Sequence, residues 1–266
     1  MNEQEPRRLA VSDILERGAR LVFGNLPVFL RATALLIVPA YAILIALLLV
    51  IGVHSVSKTV GYSIAAVMLA GILLTLVLAG GVCLKLASDL ERGEKPGART
   101  SLCFLRAKLG PFLLLAALIL VAVVPGVVLL FILIHSLGRL GLLALLAFAL
   151  SLWLAGIWSV ALPVLLIEDK SLKQALARSR ELVRGYFGHA LGTVILGSIV
   201  ALFIGVLAEI LSSVLMTGSD KERFIVYVFG LMVGEFLAIP LLAAYAIVLY
   251  YDLRLREEDY GFGRPG

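Results

Sequence analysis

The chain has 266 residues, of which 61% are hydrophobic and only 15% are Asp, Glu, Lys or Arg. Soluble domains carry about 25% charged residues, so a soluble fold of this length could not bury so much apolar surface. The formal net charge of +5 does not indicate nucleic-acid binding, because the basic residues stand at the ends of apolar segments rather than on one globular face.

Three short amphipathic helices are predicted, over residues 11–24, 99–109 and 171–187. In each, apolar side chains recur on one helical face and charged ones on the other. Ser171 and Gln174 form an S-x-x-Q capping box, which marks a helix start. A basic amphipathic helix beside a membrane span is expected to lie in the headgroup zone, with its apolar face toward hydrocarbon and its Arg toward anionic phosphates. Either it only anchors the bundle, or it recognises a lipid or a partner.

Six apolar segments are long enough to cross a bilayer, which takes about 20 residues. Helices are expected, because every backbone polar group must be satisfied inside lipid. The predicted spans cover residues 29–53, 61–86, 111–135, 141–167, 190–215 and 225–250. We therefore predict an all-α, polytopic membrane protein in which residues 1–266 form a single membrane domain.

The basic residues are distributed asymmetrically between the two ends of these spans. Nineteen of the 23 Lys and Arg residues fall on one side, and the other side has only Lys58, Arg139, Lys221 and Arg223. The positive-inside rule then places both termini in the cytoplasm. Cys83 and Cys103 lie near that boundary, where free thiols are expected. The opposite loops, roughly 54–60, 136–140 and 216–224, are too short for a catalytic or receptor domain.

We predict that a pattern of two spans occurs three times, each time as an amphipathic helix, a glycine-containing break, an outgoing span and a returning span. Gly24, Gly110 and Gly188 fall at equivalent breaks, and Pro39 and Pro125 each follow their glycine by fifteen residues. Two spans per copy give every copy the same orientation. We therefore predict three parallel, pseudo-repeated hairpins.

Glu209 and Glu235 are the acidic residues well inside the predicted spans. A charge there is costly, so such groups usually face a bundle interior and often mark ion or proton pathways. If the last two helices pack together, the two carboxyls could share one site. The alternative is a structural carboxyl, neutral or hydrogen bonded to Ser212, Ser213, Tyr227 or His135.

Small residues and prolines predict local features of the spans. Gly230 and Gly234 form a GxxxG motif, which lets helices approach closely for internal packing or for homo-oligomerisation. Kinks are expected at Pro39, Pro125, Pro163 and Pro240.

Enzymatic activity is not predicted. The sequence has no P-loop, HExxH or GxSxG motif, and its three histidines are scattered. We expect no catalytic residue, no metal site and no cofactor.

The segment ALPVLLIEDKSLKQALARSRELVRGYFGHALG (residues 161–192), the opening DILERGARLVFGN and the later LYYDLRLREE together resemble the membrane domain of certain bacterial glycerophosphoryl diester phosphodiesterases. That domain also occurs as stand-alone six-span proteins. The soluble phosphodiesterase barrel has no counterpart in this sequence. The resemblance thus implies a multi-pass protein of the bacterial inner membrane, associated with lipid or envelope processes.

Five charged residues of these motifs lie at the predicted cytoplasmic boundary: Glu168, Arg178, Arg184, Asp252 and Arg254. Glu168 or Asp252 could pair with Arg178 or Arg184 and tie neighbouring hairpins together. The same Arg residues, with Arg254, could instead receive a lipid phosphate through two hydrogen bonds.

The expected function is a non-enzymatic membrane scaffold or accessory protein that binds anionic lipid headgroups. The alternative is a small transporter or channel that uses Glu209 and Glu235. Expected partners are membrane lipids and either a second copy of the chain or another membrane protein.

Overall fold

The computed structural model describes residues 9–53, 58–135, 141–214 and 220–262, and helices take up nearly all of them, with no strand in these ranges. The helices are α1 Val11–Gly24, α2 Leu26–Val53, α3 Lys58–Glu91, α4 Ala98–Ala107, α5 Leu109–His135, α6 Gly141–Ile157, α7 Ala161–Ile167, α8 Leu172–Val183, α9 Phe187–Val214 and α10 Asp220–Phe262. The predicted loops at 54–60, 136–140 and 216–224 fall wholly or partly outside the described residues, as does Arg139.

Six segments in the described part of the chain are long and apolar enough to span a membrane. They are Leu26–Leu47, Ala66–Glu91, Leu109–Gly126, Leu143–Ile167, Phe187–Val214 and Val226–Glu257. The all-α class and the six predicted spans are confirmed at this level. They indicate an integral, multi-pass membrane protein. The last helix is longer than predicted, since its 43 residues extend about 64 Å, roughly twice the thickness of a hydrocarbon core.

The outer surfaces of these helices are apolar. Val67 and Val121 are each 72% exposed, and Leu202 and Phe203 are 68% and 66% exposed. Contiguous apolar surface of this extent is rare on soluble monomers, whereas hydrocarbon accepts it. An apolar outer surface is therefore the kind that membrane-spanning helices require.

The fourth predicted span is divided into α6 and α7 near Pro163. Proline has no N–H to offer the Ser159 carbonyl, and its ring crowds the preceding turn. The N–H of Ala161 bonds instead to the carbonyl three residues back, which leaves the Ile157 carbonyl free of its helical partner. The Ser179 hydroxyl of α8 donates to that carbonyl at 2.7 Å. At the other three prolines the helix continues without a break.

The described chain groups into two compact units, and the single membrane domain stays a prediction. One unit takes in Phe104–Gly197 with the described parts of Met1–Arg20 and Tyr245–Gly266, and the other takes in Leu21–Cys103 and Ser198–Ala244. In the first unit α5 packs against α6, α7 and α8, and α8 also packs against α6 and α7. In the second, α2 packs against α3.

Within the second unit, α9 and α10 run antiparallel along a seam of small residues. A methyl group added to Gly234 would lie 3.1 Å from the Gly205 Cα, and one added to Gly230 would lie 2.2 Å from the Ser212 Oγ. The GxxxG motif therefore lies at an internal helix contact, where glycine lets two backbones approach closely.

The short helices each precede a long one: α1 leads into α2, α4 into α5, and α8 into α9. Between α8 and α9 the chain turns at Gly185, whose φ of +90° suits glycine and few other residues. The capping box at Ser171 and Gln174 begins α8 as predicted.

Candidate functional site

Asp252 of α10 is the centre of a buried hydrogen-bond network in the first unit. Its side chain is 3% exposed and accepts three hydrogen bonds. Oδ1 accepts from the Leu9 backbone N–H at 3.0 Å, and Oδ2 accepts from His189 Nε2 at 3.0 Å and from Arg256 Nε at 2.7 Å. Arg256 Nη2 also donates to the Leu9 carbonyl at 2.6 Å. Asp252 and Arg256 thus bind the N–H and the carbonyl of Leu9, just before α1.

Local structure explains how these groups meet. Asp252 and Arg256 are four residues apart on α10, so their side chains share a helical face. His189 stands in the first turn of α9. The Arg256 guanidinium also lies 5.1 Å from the centre of the Tyr186 ring, at cation–π distance.

Glu168, directly after α7, is the second acidic centre of this unit. It accepts a hydrogen bond from the Tyr250 hydroxyl at 2.9 Å, and Lys170 Nζ and Arg178 Nε lie 3.0 Å and 3.7 Å from its carboxylate. Burial alone would raise the pKa of Glu168, but the hydrogen bonds from Lys170 and Tyr250 and the charges of Lys170 and Arg178 hold the pKa below its usual value. Glu168 is therefore held in its ionised form.

Arg178 of α8 is engaged by three carboxylates. Its Nη1 and Nη2 donate to the two oxygens of Glu257 at 2.6 Å and 2.5 Å, and Glu181 lies 3.5 Å away. The hydrogen bond to Glu257, partly offset by burial, raises the pKa of Arg178. Together with Glu168, these contacts favour the structural tie over the phosphate receptor for Arg178, because both ends of its guanidinium fork are already occupied.

We call the residues of these two networks the basic rim: Leu9, Glu168, Lys170, Arg178, His189, Tyr250, Asp252, Arg256 and Glu257. The structure brings Glu168 and Arg178 together. Asp252 contacts His189 and Arg256 instead of the predicted Arg178 or Arg184. Arg184 is exposed at the end of α8, and Arg254 hydrogen bonds to Tyr250.

Six residues of the basic rim are not indicated by the sequence patterns: Leu9, Lys170, His189, Tyr250, Arg256 and Glu257. The spacing of Asp252 and Arg256 in YYDLRLREE was a usable indication, since carboxylate and guanidinium four residues apart commonly pair on a helix. No comparable local pattern indicates His189, which lies 63 residues from Asp252.

The apolar faces of α1 and α8 are covered by protein, in contrast to the expected contact with lipid. On α8 the buried residues are Ala175, Ser179, Leu182 and Val183. On α1, Ile14 is fully buried, and Gly18 lies so close to Tyr245 that an added methyl group would come within 2.5 Å of its ring. These helices are therefore docked on the bundle, and only their polar faces point outward.

The exposed face of α8 carries a stripe of basic residues. Lys173, Arg180 and Arg184 are spaced seven and four residues apart, which aligns them along one side of a helix. This side is opposite the buried face and extends about 16 Å. We call these three residues the α8 stripe. No ion pair within the described part of the chain engages them.

The two intramembrane carboxyls of the second unit lie in different surroundings. Glu235 is hydrogen bonded to Tyr41 of α2, whereas Gly230 and Gly234 of the same helix contact α9. Glu209 is half-buried on α9. The described partner of Glu235 is therefore on α2, and a site shared with Glu209 stays a prediction.

The predicted serine partners are used locally. Ser212 donates to the Ala208 carbonyl and Ser213 to the Ile210 carbonyl, each within α9.

No family model, no curated protein and no solved structure matches the chain.

Proposed function

We propose that this protein is a non-enzymatic scaffold of the bacterial cytoplasmic membrane, with both termini in the cytoplasm, and that it binds anionic lipid headgroups through the α8 stripe. The proposal joins the charge asymmetry of the sequence to the geometry of the basic rim. It also includes the relation to phosphodiesterase membrane domains, which the motifs at residues 161–192 support, and the three-fold repeat of short and long helices.

The observation that carries the proposal is the fixed orientation of α8. Burial of Leu182 and Val183 and the hydrogen bond from Ser179 prevent the helix from rotating. Lys173, Arg180 and Arg184 consequently point outward together. Side chains positioned in advance lose less conformational entropy when a ligand binds, which favours affinity.

The expected strength follows from simple electrostatics. Each basic residue near an anionic membrane surface contributes about 1 kcal/mol, so the three residues of the stripe together favour anionic over neutral headgroups by about 3 kcal/mol. That corresponds to a preference of roughly 100-fold. Exposed charges are screened over about 8–10 Å at physiological ionic strength, so the preference should weaken as salt is added.

The scaffold role rests on the basic rim. Its hydrogen bonds and ion pairs join the chain at Leu9, the junction of α7 and α8, the start of α9 and the end of α10. Contacts among these four parts of the chain hold this surface in one shape, which suits a scaffold that binds lipids and partners.

The test measures which lipids remain bound to the protein. The wild-type chain is placed in nanodiscs with equal amounts of anionic and zwitterionic lipid, and the lipids retained after gentle release are counted by native mass spectrometry. The combined variant Lys173→Gln, Arg180→Gln and Arg184→Gln should lose most of the anionic preference.

A matched pair of single variants controls for net charge. Arg184→Gln should reduce anionic retention, whereas Arg223→Gln, an exposed arginine at the opposite end of the spans, should leave it unchanged. Equal retention by the triple variant and wild type would refute the proposal.

A further inference from the structure

Glu235 interrupts an otherwise apolar contact between α2 and α10 in the second unit. Ile37, Tyr41 and Val228 belong to a buried hydrophobic cluster there, and further apolar residues of both helices pack against it, Leu36, Leu44, Ile45, Met232, Phe236 and Ile239. On α10 these residues recur every three or four positions, and Glu235 falls in the same stripe. An apolar side chain would fit this position without the cost of burying a carboxyl group.

The carboxyl has one described partner. The Tyr41 hydroxyl, on a side chain that is 3% exposed, donates a hydrogen bond to Glu235. Oε2 of Glu235 is buried and has no hydrogen-bond partner among the described residues. An ionised carboxylate offers about four acceptor positions on two oxygens, so a single donor leaves most of them unsatisfied. A protonated carboxyl needs fewer donors.

Within the described side chains of α2 and α10, the nearest cations along each helix are too far away to neutralise an ionised Glu235. Arg223, on the same helix, precedes it by twelve residues, or about 18 Å. On α2, Arg31 precedes Tyr41 by ten residues, or about 15 Å. Other titratable groups near this contact are Tyr227, which acts electrostatically on Tyr41, and Glu209 of α9, which would oppose rather than favour a second negative charge.

We propose that Glu235 and Tyr41 form a proton-binding site inside the membrane. Glu235 carries a proton on Oε2 at neutral pH, while its other oxygen accepts the hydrogen bond from Tyr41. The ligand is the proton itself, and its uptake or release changes the charge at mid-membrane depth, a property on which proton-coupled membrane proteins depend. This site is independent of the lipid-binding proposal.

The test is chemical modification by an apolar carbodiimide, dicyclohexylcarbodiimide, which enters the bilayer and reacts with protonated carboxylic acids. The acid proton passes to a carbodiimide nitrogen while the carboxyl oxygen bonds to the central carbon, and the adduct rearranges to an N-acylurea without loss of any group. The full chain in nanodiscs is treated at neutral pH and in alkaline buffer, and the adducts are mapped by peptide mass spectrometry.

The expected result is an adduct on Glu235 at neutral pH that is lost in alkaline buffer. Exposed Glu94 should react with a water-soluble carbodiimide and not with the apolar one. Tyr41→Phe removes the described donor that favours the ionised form, so modification of Glu235 should persist into more alkaline buffer.

Two variants complete the design. Glu235→Gln should abolish the adduct, and Glu209→Gln should leave the adduct on Glu235 intact. Because the mapping is done on the wild-type chain, the outcome does not depend on either variant folding. Absence of a Glu235 adduct at neutral pH, or modification no greater than that of Glu94, would overturn the proposal.

Discussion

At the scale of single residues, the basic rim shows how a buried carboxylate is satisfied. Asp252 accepts from a backbone N–H, an imidazole and a guanidinium, and Arg256 returns to the same backbone residue. Hydrogen bonds to charged groups contribute more than neutral ones, and leaving such a group unpaired is costly. Leu9 is therefore fixed to the end of α10 although the two are far apart in sequence.

The ionisation of Glu168 should make the stability of the protein depend on pH in the acid range. Its pKa is lower in the folded protein than in the unfolded chain, so its contribution is complete above the ordinary Glu value of about 4.3 and is lost as the pH falls through the lower folded value. We expect the unfolding temperature in detergent, followed by tryptophan fluorescence, to fall in this acid range, and Glu168→Gln to flatten the dependence.

Glu181→Gln is the matched control for that prediction, because Glu181 also contacts Arg178 but its side chain is 64% exposed. It should keep the wild-type dependence on acid, since exposed ion pairs contribute only about 0–1 kcal/mol. An acid dependence that is identical in wild type and Glu168→Gln would contradict the assigned role of Glu168.

The partners of individual residues were only partly predictable. The sequence predicts that Glu168 pairs with Arg178 or Arg184, because all three lie at the predicted cytoplasmic boundary. For a structural carboxyl in these spans it offered Ser212, Ser213, Tyr227 or His135, but hydroxyls within a helix commonly bond to their own backbone carbonyls, as the two serines do. Tyr41, nearly two hundred residues earlier, could be recognised as the partner only from the packed helices.

At the scale of helices, periodicity identified which face of α1 and α8 is apolar but not what covers it. Lipid and a neighbouring helix are both apolar, so the same pattern fits either one. The structure covers both faces with protein, through contacts such as Gly18 with Tyr245. Docked in this way, α8 keeps the charged residues Lys173, Arg180 and Arg184 exposed.

The four prolines illustrate a similar limit. All were expected to kink their helices; among the described residues the helix is interrupted near Pro163, and kinks at the other three prolines stay a prediction. Near Pro163 the Ser179 hydroxyl donates to the released Ile157 carbonyl, so this carbonyl stays hydrogen bonded although the helix is interrupted. That donor comes from α8, so the sequence around Pro163 could not indicate it.

The seam between α9 and α10 can be tested by adding one methyl group. Gly230→Ala would bring its Cβ within 2.2 Å of Ser212 Oγ and 2.8 Å of Ser212 Cβ. Overpacking of this kind costs about 1–3 kcal/mol. We expect a lower unfolding temperature in detergent than for wild type.

Gly205→Ala is the control on the facing helix, since its added methyl group would meet no atom within 4 Å. Alanine favours a helix by up to about 1 kcal/mol over glycine, so this variant should be neutral or stabilising. If both variants had the same unfolding temperature, the close contact at Gly230 would be in doubt.

At the scale of the whole molecule, composition predicted the all-α membrane class and the six spans. A helix that crosses the hydrocarbon core must be both long enough and apolar enough, and both properties can be read from the sequence. Composition did not predict the division into two units. The boundaries after Arg20, Cys103, Gly197 and Ala244 all fall inside helices, at α1, α4, α9 and α10. No linker, proline cluster or change of composition marks such a boundary in the sequence.

The proposed function depends most on the basic rim facing the cytoplasm, and Cys103 allows a direct test of this orientation. Cys103 is exposed on α4, whereas Cys83 is buried in α3. With Cys83→Ala, the remaining thiol is treated with a membrane-impermeant maleimide in intact cells and in inside-out vesicles. As the opposite-side control, Arg223→Cys is introduced into a chain that also carries Cys83→Ala and Cys103→Ala.

We predict that Cys103 is labelled in inside-out vesicles and protected in intact cells, and that the control cysteine shows the reverse pattern. This result would place the α8 stripe against the inner leaflet, where anionic headgroups attract it. Labelling of Cys103 in intact cells would invert the topology and contradict the proposed function.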